Sequence, residues 1–263
     1  MRANRLPSVQ GFRWVGEGFR IFRAAPLRLL VLNLAFLLAI SFAVAIPVVG
    51  FAAVWLLIPA FIVGPHAMSR AAAQGAMPDL GMLVSGFRAN LAAQLKLGGV
   101  YLAAMMAVLV ATALADQGHF AQAMIGRERL EFADLQNPAV LQAMLIGAGL
   151  QTALLTALWY APLLVAWNGL TVSKAIFFST AAALINWRAL LAYAIAISLL
   201  FVFVLVLALG AAILFSGPGA AQGNAAFFTS VWAILPIWFA TSYLSYRDVF
   251  SAEDEAGAMP QRP

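Results

Sequence analysis

The chain alternates long apolar stretches with short charged ones. No Asp, Glu, Lys or Arg occurs in 29–69, 97–115, 135–173 or 189–246. A helix that crosses a bilayer needs about 20 apolar residues. The first and last stretches therefore hold two spans each, and the middle stretches hold one each. Ile46-Pro47-Val48-Val49-Gly50 is the turn inside the first stretch, and Ser216-Gly217-Pro218-Gly219 through Gly223-Asn224 divides the last. The pattern predicts spans over 27–46, 48–67, 91–114, 139–167, 187–215 and 225–246. The expected fold is all-α: a polytopic integral membrane protein of six transmembrane helices in three hairpins.

A segment with amphipathic spacing precedes each hairpin. Phe12, Val15, Phe19 and Phe22 share one helical face, with Arg13, Glu17 and Arg20 on another, where Glu17 can pair with either arginine. Asp79 can cap a second helix with a stripe of Leu80, Leu83, Val84, Phe87 and Leu91. Thr171 or Ser173 can cap a third, alanine-rich one that holds Val172, Ile176 and Phe177. Helices of this kind lie in the membrane interface with their arginines toward lipid phosphates, or pack under the bundle as connectors.

Composition agrees with the pattern. Hydrophobic residues make up 64% and charged residues 10%, against about a quarter charged in soluble domains. With no cysteine, disulfides, thiolate metal sites and cysteine nucleophiles are excluded. The net charge of +5 matters through its placement. Of the 15 Lys and Arg residues, only Arg127 and Arg129 fall on the side opposite the termini. The positive-inside rule then puts both termini in the cytoplasm. The first 26 residues carry five arginines without a continuous apolar core, so they do not read as a cleaved signal.

The hairpins resemble one another. Gly18-Phe19-Arg20, Gly86-Phe87-Arg88 and Asn186-Trp187-Arg188 occupy matching places. Trp55 with Pro59, Trp159 with Pro162 and Trp232 with Pro236 follow in the second helix of each hairpin. Those prolines should kink their helices at similar depth. Three hairpins of one orientation would be related by a pseudo-threefold axis along the membrane normal. The reading is one transmembrane domain over 1–250, with units near 8–68, 79–167 and 172–250, and a disordered acidic tail over 251–263.

Reactive chemistry is sparse. No Asp, Glu, Lys or Arg lies in the middle of a span, where coupled transporters keep one. Neither His-Glu-x-x-His nor Gly-x-Ser-x-Gly occurs, and His66 and His119 are the only histidines. No metal site or cofactor is expected, nor is nucleic acid a partner. The expected partners are the lipid bilayer and a membrane protein or second copy of the chain. Asn33, Gln94, Gln151, Thr156, Tyr160 and Asn168 could line an intramembrane polar cavity, or simply bond between helices. Gly98, Gly99, Gly147, Gly149 and Gly210 read as close-packing positions.

Three motifs carry a family resemblance: Gly18-Phe19-Arg20-Ile21-Phe22-Arg23-Ala24-Ala25-Pro26, Leu158-Trp159-Tyr160-Ala161-Pro162 and Ser245-Tyr246-Arg247-Asp248-Val249-Phe250. The chain resembles, over its whole length, a family of bacterial inner-membrane proteins of unknown function. The resemblance implies a bacterial inner membrane and six helices, and no particular activity. The residues themselves favour a non-enzymatic scaffold or lipid- and partner-binding protein, with Arg13, Arg20, Arg23, Arg88 and Arg247 meeting phosphates or a partner. One alternative is a small permease or channel for a neutral or amphiphilic solute. Another is a lipid-modifying enzyme using His66, Asp79, His119 or Asp248.

Overall fold

In the computed structural model, residues 3–44, 46, 49–125, 127, 130, 131, 133–217 and 219–250 are described. The acidic tail lies outside them. All regular structure among these residues is helical. The helices are α1 (Gln10–Ala24), α2 (Pro26–Val44), α3 (Val49–Ala73), α4 (Ser85–Arg88), α5 (Leu91–Asp116), α6 (His119–Met124), α7 (Pro138–Leu158), α8 (Ala161–Asn168), α9 (Val172–Ile185), α10 (Trp187–Ser216) and α11 (Ala220–Phe250). Short 3₁₀ turns occupy Leu80–Val84 and Asp134–Gln136. Six candidate spans are long and apolar enough to cross a membrane: Pro26–Val44, Ala52–Ala73, Leu91–Asp116, Pro138–Asn168, Trp187–Ser216 and Ala221–Phe250. They match the sequence reading in number and place.

The contacts define two compact units. The first comprises Met1–Ala39, Phe61–Ser85 and Ala181–Pro263. Its central element is the second half of α11, where Phe239 through Tyr246 are all buried. Phe239 meets Phe36 of α2 edge-on at 5.4 Å, and the Trp232 indole donates to the Leu30 carbonyl at 2.9 Å. From α3, the ring of His66 bonds Ser242 at 3.0 Å. Leu29, Leu32 and Met68 form a second cluster, against which Leu83 of the 3₁₀ turn packs. By contrast, α10 buries only Ala189, Ala192 and Tyr193 and leaves its remaining residues exposed or half-buried, as suits a lipid-facing helix.

Helix α1 turns a different face inward from the one its aromatic spacing suggests. Gly11, Trp14, Gly18 and Ile21 are buried, while Phe12 and Phe19 stand about half exposed. The glycines explain the choice. A Cβ on Gly11 would collide with the backbone of Ala189 and Tyr193, and one on Gly18 with Thr241. The backbone of α1 thus lies directly on α10 and α11, and the phenylalanines are left for the surroundings.

The second unit comprises Ile40–Ala60 and Gly86–Thr180. Here α5 and α7 form a hairpin. Met105, Val108 and Leu109 of α5 pack with Trp55, Ala121 and Met124. Gly98 lets α5 approach the Leu56 carbonyl, and a Cβ on Gly147 would press on Phe120 and Thr112. A Cβ on Gly99, Gly149 or Gly210 would meet nothing within 4 Å, so the close-packing reading is corrected there. The span holding Pro162 is broken at Trp159-Tyr160 and restarts as α8, whereas α3 and α11 run unbroken through Pro59 and Pro236. Side chains satisfy the backbone freed at the break. Tyr101 donates to the Leu158 carbonyl at 3.1 Å, Gln94 donates to that of Pro162 at 3.0 Å, and the Tyr160 amide donates to the Ser179 hydroxyl at 3.0 Å. Irregular backbone at membrane depth survives only where protein covers it in this way.

Two preceding segments depart from the amphipathic expectation in detail. Asp79 does cap, accepting from the Met82 amide at 3.2 Å, but the turn it starts is 3₁₀ and gives way to the single turn α4. Asn90 then adopts a left-handed conformation (φ 53°) that separates α4 from α5. Helix α9 buries its small residues Ala175, Ser179, Ala182 and Ala183 and exposes Phe177 and Leu184.

Overpacking a tight contact costs about 1–3 kcal/mol. Gly11→Val should therefore lower the unfolding free energy by about that amount. Gly16→Ala, where nothing lies within 4 Å, should be neutral or slightly stabilising. Reversible denaturation in mixed micelles measures both.

Candidate functional site

A dense polar cluster in the first unit forms where the N-terminal segment meets the end of α11. Asp248 sits in the last turn of that helix. Its Oδ2 accepts from Gln10 Nε2 at 2.8 Å and from Trp14 Nε1 at 2.9 Å. Gln10 and Trp14 are one turn apart on α1, so they reach a single oxygen from one face. Oδ1 accepts from Arg247 Nε at 2.9 Å and pairs with its Nη2 at 2.8 Å. One carboxylate thus draws α1 onto α11 and fixes the neighbouring guanidinium.

Aromatic and backbone contacts complete the clamp. Trp14 is fully buried, edge-on to Tyr193 of α10 at 6.2 Å. The hydroxyls of Tyr193 and Thr241 are hydrogen-bonded at 3.0 Å. A helix ends with carbonyls that lack partners. Asn4 supplies them: its amide donates to the Val249 carbonyl at 2.9 Å and its Nδ2 to that of Asp248 at 3.2 Å. Asn186, buried ahead of α10, accepts from the Leu6 amide at 2.8 Å and donates to the Asn4 carbonyl at 2.9 Å.

Beside the clamp lies a pocket of about 260 Å³ between α1, α3 and α11. Glu17, Arg20 and Arg247 provide its charge, while Ile21, Ala24, Ala72 and Leu244 are among its apolar walls. Glu17 bridges the two arginines, at 3.6 Å from Arg20 and 3.5 Å from Arg247. Both contacts are long for charge-assisted bonds, which sit near 2.7–2.9 Å. The carboxylate therefore neutralises the pair loosely. With Asp248 included, two cations alternate with two carboxylates. The volume falls slightly below the usual 300–1,000 Å³ of small-molecule pockets and suits a small polar headgroup more than a whole ligand.

The other residues singled out from the sequence do not share one place. Arg13 and Arg23 are exposed on α1, and Arg88 is exposed at the end of α4. Asn33 is buried in the first unit and bonds back to the Leu29 carbonyl at 2.8 Å. Gln94 and Tyr160 are buried in the second unit at the helix break, Gln151 and Thr156 are half-buried on α7, and Asn168 is exposed at the end of α8. Among the titratable candidates, Asp79 caps its turn and His119 lies 3.3 Å from Asp134. His66 directs Nδ1 at the Ile62 carbonyl, 2.6 Å away, so Nε2 is left to accept from Ser242. That is the tautomer a serine–histidine pair needs, but both side chains are under 5% exposed and join α3 to α11. Among the described residues, no three His, Asp or Glu side chains gather to hold a metal ion. Sequence reasoning placed Asp248 at the bilayer exit and missed Trp14, Gln10 and Asn4. A carboxylate at the end of an apolar helix, with Arg247 as its one nearby cation in sequence, was the available signal for a buried donor set.

The chain is 33% identical over 270 residues to a protein of Burkholderia thailandensis named as a probable inner membrane protein. The match covers 100% of this chain and 98% of that protein. No protein-family model matches the chain, and no solved structure matches it.

Hydrogen bonds to charged groups contribute about 1.5–3 kcal/mol. Trp14→Phe keeps the ring bulk and removes the indole donor, so it should lower unfolding free energy by about that much. Adding Asp248→Asn should cost less in the Trp14→Phe background than alone. A double-mutant cycle measured by denaturation checks the coupling.

Proposed function

Because the chain belongs to the family of that probable inner membrane protein, we propose that it is a non-catalytic, multi-pass protein of a bacterial inner membrane that binds a phospholipid headgroup. The observation that carries this reading is the pocket in which Arg20 and Arg247 share one carboxylate. A lipid phosphate inserted there accepts from both guanidinium groups, for which planar donor forks are suited. Glu17, released from its long contacts, then accepts from a headgroup ammonium. The alternation of positive and negative groups in the pocket matches a zwitterion of the phosphatidylethanolamine type. Ile21, Ala24 and Leu244 offer an apolar wall to the start of the acyl chains. Phe12 and Phe19, turned away from the protein, hold α1 in the interface.

Charge placement supports an orientation with both termini in the cytoplasm. The absence of native cysteine makes this simple to test with single introduced thiols. In intact cells, Gln117→Cys should react with a membrane-impermeant maleimide and Gln74→Cys should not. The reverse labelling would invert the topology.

The headgroup reading predicts a position-specific loss. Each basic residue near a lipid phosphate is worth about 1 kcal/mol, or about five-fold in occupancy. Arg20→Gln should reduce crosslinking of a headgroup-diazirine phosphatidylethanolamine to α1 by about five-fold. Arg23→Gln, outside the pocket, should leave it unchanged. Equal losses in both variants would reduce the role of these arginines to general surface charge.

A further inference from the structure

The second unit contains a larger, open cavity, of about 540 Å³, between the start of α5 and the turn that leads from α8 into α9, with Asn90, Lys96, Val100, Thr171 and Ser173 all exposed along it. Its volume lies within the ordinary range for bound small molecules. Lys96 provides the only charge on its lining. Asn90, Thr171 and Ser173 add polar groups, and Val100 and Ile176 are part of its apolar wall. Among the described residues, Lys96 makes neither an ion pair nor a hydrogen bond.

Lys96 stands five residues into α5, which places it roughly 7.5 Å along the helix at 1.5 Å per residue. The interfacial layer on each side of a bilayer is about 5–8 Å deep. By that length Lys96 belongs to the interfacial end of the span and not to its middle. Lys96 is exposed, and a lysine near the end of a span reaches toward lipid headgroups. This lysine has a cavity in front of it and no protein carboxylate within it.

We propose that this cavity binds the headgroup of an anionic phospholipid that carries no amine, of the phosphatidylglycerol type. The phosphodiester accepts from the Lys96 ammonium. The amide of Asn90 and the hydroxyls of Thr171 and Ser173 bond the headgroup hydroxyls, and Val100 and Ile176 flank the first methylenes of the acyl chains. The absence of a carboxylate from the lining separates this site chemically from the pocket that holds Glu17, since an ammonium would meet only Lys96 here. The two sites stand or fall independently.

Native mass spectrometry of the full chain released from nanodiscs of phosphatidylethanolamine and phosphatidylglycerol tests the proposal. The retained lipid should be enriched in phosphatidylglycerol above its share in the disc. Lys96→Gln should cut that enrichment by about five-fold, the worth of one lysine beside an anionic headgroup. Lys96→Arg should preserve it, and Arg20→Gln should not touch it. A second reading, with the charge left in place, comes from Thr171→Val with Ser173→Ala, which should also lower the enrichment. The proposal is overturned if Lys96→Gln leaves the retained phosphatidylglycerol unchanged, or if the Arg20→Gln protein, whose first pocket is weakened, retains phosphatidylethanolamine and no phosphatidylglycerol. Retention of water-soluble glycerophosphoglycerol in preference to the lipid, when both are offered at equal concentration, would equally overturn it, because the ligand would then be a free phosphodiester.

Discussion

One carboxylate organises the first unit. Asp248 stands in the last turn of a membrane-spanning helix, where a charge without partners would be expensive to hold. Gln10 and Trp14 satisfy it from α1 and Arg247 from its own helix. Those bonds set the rotation of α1. With Trp14 turned inward, Gly11 and Gly18 must face α10 and α11, and their missing side chains permit the contact. The same rotation sends Phe12 and Phe19 outward and brings Glu17 and Arg20 beside Arg247. The headgroup pocket is thus a by-product of how one half-buried anion is satisfied.

The second unit obeys a related constraint on the backbone. A span interrupted at Trp159-Tyr160 exposes peptide groups that lipid cannot bond. Gln94, Tyr101 and Ser179 meet them from α5 and α9. Of the polar residues that could have lined a cavity, Gln94 and Tyr160 take part in this repair. Lys96, on the same helix as Gln94, has no such task.

The spans were legible because a bilayer imposes a length, and runs free of charge report that length directly. The burial of α11 was legible in principle. Over an 18-residue window its mean hydropathy is 1.5 against 3.0 in α10, and it is that stretch of α11 that the protein covers. The helix carrying Thr241, Ser242 and Ser245 cannot offer them to lipid. The inward face of α1 was not legible from apolar spacing, since glycine scores as neutral while it defines the closest contact. Arg20 and Arg247 could be proposed as phosphate ligands from their position at membrane ends, but their meeting across Glu17 depends on a tertiary contact between residues 230 positions apart. Gly99, Gly149 and Gly210 show the converse error, in which a residue type was read as a contact that the fold does not make.

Everything proposed for the first unit turns on whether Arg20 and Arg247 hold a lipid phosphate in the pocket that the Asp248 clamp creates. A cryo-electron microscopy map of the protein in a phosphatidylethanolamine-containing nanodisc, with a rigid binder to aid alignment, tests this most directly. Headgroup density is expected between α1, α3 and α11, with its phosphate within hydrogen-bond distance of both guanidinium groups. A map in which Glu17 remains bridged to both arginines and the pocket holds no lipid would contradict it.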